Sequence, residues 1–212
     1  ECMLSVLVNT HMLMACKENK VKKYFFSSSA CVYNADKQKD PNITGLVEAD
    51  AYPGMPEDGY GWEKLFSERM CGHFLEDYGL DVKVARYHNI FGPNGTYDGG
   101  REKAPAAICR KVAESENDGE IEVRVDGSQT RRVCYIDDCV EGLIRIMESG
   151  YTAPLNLGTD DLVTVNQLVS TICSVSGKQL TSVHDLARPQ GVRGRNSVNN
   201  LLRYILGLVP SI

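Results

Sequence analysis

The sequence predicts an α/β protein with a parallel sheet, and three observations carry that prediction. Residues 21–29, with Val21, Tyr24, Phe25 and Phe26, read as a buried strand that ends in small polar residues, Ser27-Ser28-Ser29. Residues 61–78 carry Leu65, Phe66, Met70, Phe74 and Leu75 at helical spacing. Residues 81–90 follow with Val82, Val84, Ala85 and Tyr87. Strand, helix and strand in that order and at that spacing read as a parallel pair joined by a crossover helix.

The remaining elements follow in order. Residues 3–18 place Leu4, Leu7, Val8, Met12 and Ala15 at helical spacing and predict a first helix. Residues 36–58 are rich in Pro, Gly, Asp and Asn, so a long loop is expected there. Gly79 is placed to stop the second helix. The strand at 81–90 ends at Phe91-Gly92-Pro93. Beyond Gly100 the pattern predicts a helix at 104–114, a short strand at 121–125, a turn at Asp126-Gly127 and a strand at 130–136. A helix at 137–147 capped by Asp137, a short strand at 154–158 and a helix at 164–175 capped by Thr164 complete it. Residues 189–195 are rich in Gly and Arg.

Composition narrows the function classes. At 212 residues the chain can bury one sizeable core or two small ones. Hydrophobic residues make up 42% and charged residues 24%, as in ordinary globular proteins. The net charge is -5, and the basic residues are dispersed apart from short clusters such as Arg131-Arg132, so no nucleic-acid partner is expected. There are eight cysteines but no Cys-x-x-Cys pair and no His at zinc-finger spacing. They read as reduced thiols with no metal, and Cys16, Cys109, Cys134, Cys139 and Cys173, in apolar runs, are expected to be buried. No secretory signal and no membrane-length apolar run occurs, which leaves a cytoplasmic protein with no membrane partner as the expectation.

The chemistry begins at Tyr60-Gly61-Trp62-Glu63-Lys64. A Tyr and a Lys four apart share one helix face. A nearby ammonium favours the phenolate, so Tyr60 is expected to act as a base nearer neutral pH. The pattern alone is weak; its context strengthens it. Ser27-Ser28-Ser29 lies upstream, and Arg86-Tyr87-His88-Asn89-Ile90-Phe91-Gly92-Pro93 lies downstream. Ser, Tyr and Lys in this frame resemble the extended short-chain dehydrogenase/reductase family. That resemblance implies NAD as cofactor, with Tyr60, Lys64 and Ser28 contacting it and Ser29 assisting Tyr60 and Lys64 in hydride transfer.

Further strings narrow the match. They are Ser28-Ser29-Ala30-Cys31-Val32-Tyr33-Asn34, Gly99-Gly100-Arg101-Glu102-Lys103-Ala104-Pro105, Gln129-Thr130-Arg131 and Gly191-Val192-Arg193-Gly194-Arg195-Asn196-Ser197. In this order they resemble the GDP-mannose 3,5-epimerases within that family. The resemblance implies a partial Rossmann-type parallel sheet with flanking helices, plus a smaller α/β substrate-binding domain. Residues 1–100 would belong to the NAD-binding domain. Residues 101–212 would belong mainly to the nucleotide-sugar domain, with short segments returning to the Rossmann sheet. It implies conversion of GDP-D-mannose to GDP-L-galactose, a homodimer formed by the helices at 3–18 and 61–78, and a catalytic acid/base pair, Cys31 and Lys103. It places Ser29, Ala30, Cys31, Asn89, Glu102, Lys103, Ala104, Pro105, Lys111, Gln129, Thr130, Arg131 and Arg195 around the substrate. His88 reads as structural.

Plain chemistry agrees with that pair. Protons at C3 and C5 of a hexose are not acidic, but a transient ketone at C4 makes both positions α to a carbonyl. A thiol and an amine can both be tuned toward neutral pH. Two departures stand beside the match. No Gly-x-Gly-x-x-Gly string, the usual seat of a dinucleotide pyrophosphate, occurs in the sequence, so about the first third of a family member and its last helices are expected to lie outside it. Val198 stands where an acidic residue is expected after Asn196-Ser197. Two other readings stay open: another nucleotide-sugar 4-epimerase or dehydratase, and a non-catalytic binder or dimerisation partner. A 4-epimerase needs no proton exchange at C3 or C5, so Cys31 and Lys103 speak against the former.

Overall fold

In chain order the elements are α1 (Cys2–Glu18), β1 (Lys23–Ser29), α2 (Gly59–Tyr78), β2 (Asp81–Tyr87), β3 (Asn89–Phe91), α3 (Ala104–Glu114), β4 (Glu120–Arg124), β5 (Thr130–Tyr135) and α4 (Ile136–Glu148). They continue with β6 (Leu155–Leu157), β7 (Leu162–Thr164), α5 (Val165–Ser176), β8 (Thr181–Asp185), β9 (Gly194–Arg195) and α6 (Asn200–Leu206). The computed structural model describes residues 2–38, 45–100, 102–187, 194–195 and 198–210.

The strand–helix–strand unit forms as the sequence predicts. β1 and β2 pair in parallel from Lys23↔Asp81 to Ser29↔Tyr87, and β6 joins β2 in parallel on its other edge. β2 is thus the central strand, buried along Val82–Arg86. One core joins Leu13, Cys16, Phe26, Cys71, Phe74, Leu80, Val82 and Val84 from α1, β1, α2 and β2. A second joins Ala85, Cys134, Cys139, Ile146, Leu155, Leu157 and Leu202.

Local chemistry sets the helix limits. α2 begins two residues earlier than its apolar pattern suggests, because Asp58 caps it by accepting from the Gly61 amide at 2.8 Å. It ends at Gly79, whose φ of 66° suits a residue without Cβ. Thr164 and Gln167 form the capping box of α5. Asp137 does not cap α4: Tyr135 holds that position, and Asp137 and Asp138 lie in the first turn, where carboxylates favour the helix dipole.

Other expectations are revised. The strand expected over 81–90 divides at His88, whose amide donates to Leu157 O at 3.2 Å, and the chain then leaves β6 to pair with β5 as β3. The loop at 36–58 contains short 3-10 turns at Asp36–Gln38 and Glu48–Ala51. Cys16, Cys134 and Cys139 are buried, but Cys109 is exposed and Cys173 only half-buried. α3 buries Pro105, Ile108 and Val112, which turns Cys109 outward. Among the described residues no helix is long and apolar enough to cross a membrane.

A buried polar knot ties these elements together. Glu68 of α2 and Arg86 of β2 form an ion pair at 2.7 Å, with side chains 3% and 2% exposed. Ser28 donates to Glu68, and Arg86 also donates to Tyr33 Oη at 3.3 Å and Glu48 O at 2.6 Å. Tyr33 in turn donates to Asn156 of β6 at 2.5 Å. Burial lowers the affinity of Arg86 for its proton, but the bond and charge of Glu68 outweigh it, and the net shift is upward. Removing one partner of such a pair leaves the other charge uncompensated. Glu68→Leu is therefore expected to lower unfolding free energy by about 3–5 kcal/mol in a urea titration. A loss below about 1 kcal/mol, the range of an exposed pair, contradicts this account.

Candidate active site

Parallel pairing brings the ends of β1 and β2 to one edge of the sheet, where ligands of open α/β sheets bind. A cleft of about 350 Å³ opens there, lined by Ser27, Ser28, Ser29, Ala30, Cys31, Tyr60, Lys64, Tyr87, His88, Asn89, Ile90 and Lys103. Residues from four separate stretches of sequence thus meet. Ser29, Cys31, Tyr60, Lys64, Asn89 and Lys103, all singled out from sequence, share it.

Each is placed by its element. Ser29 ends β1, and its Oγ accepts from the Cys31 amide at 3.2 Å, capping a 3-10 turn at Ala30–Val32. Tyr60 lies in the first turn of α2 and Lys64 one turn on. Lys64 Nζ donates to Ser27 O at 3.0 Å and stands 5.5 Å from the centre of the Tyr60 ring. Lys103 occupies the N-cap position of α3 without a capping bond from its side chain. A smaller pocket of about 170 Å³ shares Asn89 and Lys103 and adds Glu102, Ala104, Pro105 and Arg131. Asn89 is oriented by donating to Arg132 O at 3.1 Å. Among the described residues Glu102 Oε2 has no hydrogen-bond partner, which leaves an acceptor beside that pocket.

The electrostatics revise one expectation. Tyr60 is not brought toward neutral pH. Burial raises its pKa above the ordinary 10.0, the Cys31 charge raises it further, and a hydrogen bond with Ser29 only partly opposes them. Lys64 is turned to Ser27 O and does not reverse the balance. His88 is held neutral, its pKa lowered to about 4 by burial and by the Arg132 charge, with an Asn156 hydrogen bond opposing.

Not every candidate reaches the cleft with its side chain. Ser28 is 3% exposed and gives its hydroxyl to Glu68, so it does not present that hydroxyl to a cofactor. Lys111 donates to Glu122 O at 2.9 Å and lines a separate surface hollow with Glu114 and Glu120. Gln129 and Thr130 stand at the start of β5, outside both linings. Arg195 pairs with Arg131 through the β9–β5 register, and its side chain lies outside the described residues. Sequence reading missed Glu68, although Lys64-x-x-x-Glu68 puts it one turn along the same face. It also missed Gly61, whose only signal was its place beside Tyr60.

The His88 shift sets a pH dependence. Its folded-state pKa lies below the ordinary 6.5, so the unfolded chain binds the proton more readily, and stability from this group is lost as pH falls from about 6.5 toward 4. His88→Gln is expected to flatten the decline in melting temperature across that window. An unchanged slope contradicts the assignment.

Comparisons with known proteins agree with this geometry. The model of the NAD dependent epimerase/dehydratase family matches residues 3–158. The chain is 44% identical over 208 residues to GDP-mannose 3,5-epimerase 1 of Oryza sativa subsp. indica, covering 98% of this chain and 54% of that protein. It is 43% identical to the GDP-mannose 3,5-epimerase of Arabidopsis thaliana over the same shares. The chain therefore spans about half the length of the curated relatives it matches. Its fold superimposes with a TM-score of 0.88 on a UDP-glucose 4-epimerase from Thermotoga maritima, solved with UDP-glucose, at 25% identity, covering 100% of this chain and 66% of that one. With a family match across most of its length and a cleft holding the residues its motifs nominate, the chain belongs to the NAD dependent epimerase/dehydratase family.

Proposed function

We propose that the cleft serves a GDP-mannose 3,5-epimerase, converting GDP-D-mannose to GDP-L-galactose through a transient C4 ketone. The observation that carries this reading is the meeting of Cys31 and Lys103 with Tyr60 and Lys64 in one cleft. A 4-epimerase has use for the second pair alone.

The residues fit one end of NAD. Tyr60 and Lys64, with the main chain at Ser28, face the cleft where the nicotinamide ribose would lie. When bound, oxidised NAD supplies the two-electron acceptor that makes and then unmakes the ketone. Tyr60 takes the proton of the C4 hydroxyl, and its bond with Ser29 steadies the phenolate that does so. Cys31, on the turn after β1, removes a proton from a carbon next to the ketone. Lys103, from the start of α3, returns one to the opposite face. Asn89, Glu102, Ala104, Pro105, Thr130 and Gln129 line or flank the path of the nucleotide sugar. Arg131 and Arg195 on adjacent strands suit its diphosphate, because guanidinium groups offer paired planar donors. Lys111 contributes once released from Glu122 O.

Assembly and setting belong to the same proposal. Residues 1–100 form the cofactor-binding portion and residues 101–212 mainly the substrate portion. Leu4, Val8 and Met12 of α1 and Trp62 and Phe66 of α2 are each 47–67% exposed, an apolar face suited to a second copy. The free thiols accord with a cytoplasmic setting.

Two measurements test these statements. With GDP-mannose and NAD in deuterated water, deuterium is expected at C3 and C5 of the sugar by NMR. Cys31→Ala and Lys103→Met are each expected to slow this by about 100- to 10,000-fold with binding retained. Undiminished exchange in both variants, or none from folded protein that binds both ligands, contradicts the reading. Phe66→Glu is expected to shift a dimer to monomer in sedimentation equilibrium; a wild-type monomer contradicts the dimer.

A further inference from the structure

Gly61 follows Tyr60 inside α2 and is buried. Glycine is unfavourable in a helix relative to alanine, and a helical φ does not require it. The space around it does. A β-carbon at this position would lie 2.3 Å from Cys31 O and 2.7 Å from Pro56 Cβ, both closer than real contacts allow. The Gly61 amide is fixed on its other side by Asp58 at 2.8 Å. The backbone of α2 therefore bears directly on the backbone of Cys31, with no side chain between them.

We propose that Gly61 is a positioning residue that sets the Cys31 thiol beside the Tyr60 hydroxyl, so that both reach neighbouring atoms of one bound sugar. The inference rests on the epimerase reading of the cleft. The chemistry asks for such closeness: the hydroxyl on C4 and the hydrogens on C3 and C5 sit on adjoining carbons. Groups that remove them in turn must stand side by side. The two do interact here, since charge on Cys31 raises the pKa of Tyr60. A Cβ at residue 61 must displace the turn at Ala30–Val32, because a carbonyl cannot rotate away as a flexible side chain can. Tyr60 and Lys64, carried by α2 itself, would keep their mutual arrangement.

The distinguishing consequence is a split between two partial reactions. Gly61→Ala is expected to lower deuterium entry at C3 and C5, relative to oxidation at C4 followed by reduced-cofactor absorbance, by about 10- to 100-fold, the effect of roughly 1 Å of misplacement. General damage to the fold lowers both together. Gly72→Ala, on the same helix with nothing within 4 Å of the added carbon, is the control and keeps the ratio. Alkylation of Cys31 by iodoacetamide is expected to change rate in Gly61→Ala and not in Gly72→Ala. An unchanged ratio in Gly61→Ala overturns the positioning role while leaving the epimerase reading intact. Deuterium entry undiminished in both Cys31→Ala and Lys103→Met overturns that reading, and this inference with it. If Gly61→Ala does not fold, the closeness is read at Tyr60: Cys31→Ala lowers the midpoint of its phenolate in a tyrosine NMR titration, and an unmoved midpoint overturns the proposal.

Discussion

The cleft rests on the buried ion pair between Glu68 and Arg86. Glu68 belongs to α2, one turn after Lys64, and Arg86 to the central strand β2. Ser28, bonded to Glu68, brings in β1; Tyr33 and Asn156, reached from Arg86, bring in the turn after β1 and the third strand β6. One polar knot thus fixes the helix that carries Tyr60 and Lys64 against β2 and against β1, the strand that carries Ser29. Isolated charges in such a place would be strongly unfavourable, so the knot is stable only with its partners in place. That requirement is a source of geometric specificity: slipping α2 along the sheet would break several buried bonds at once.

The cleft above the knot disfavours charge on Tyr60. Burial and the neighbouring thiol hold Tyr60 protonated, and Lys64 points its ammonium to a main-chain carbonyl. Charge on Cys31 adds to burial in disfavouring the Tyr60 phenolate.

Much of this was legible in the sequence, for reasons that also explain the gaps. The spacing of Tyr60 and Lys64 on a helix between two strands specified both the topology and the cleft edge. Period-2 alternation explains why Ser28 does not offer its hydroxyl there: it shares a face of β1 with Phe26, toward α2, while Ser27 and Ser29 face the other way. Lys111 was placed by motif alone, and motif cannot say which face of α3 meets the ligand. The exposure of Cys109 follows from the buried positions of α3, a signal present but unread. β7, β8, β9 and α6 escaped notice because each is short, and β8, exposed on much of its length, carries no apolar pattern. The split at His88 depends on which strand each half pairs with, information that a single strand does not contain.

The central claim is that Cys31 and Lys103 stand together at the sugar of a bound guanosine-diphosphate hexose. The most direct measurement is protection from chemical labelling: iodoacetamide at Cys31 and an amine-acylating reagent at Lys103, read by mass spectrometry with and without nucleotide sugar. The account predicts that GDP-mannose slows labelling of both residues over the same concentration range, while UDP-glucose leaves both labelling rates unchanged. Protection of neither residue, of one alone, or of both equally by UDP-glucose would contradict it.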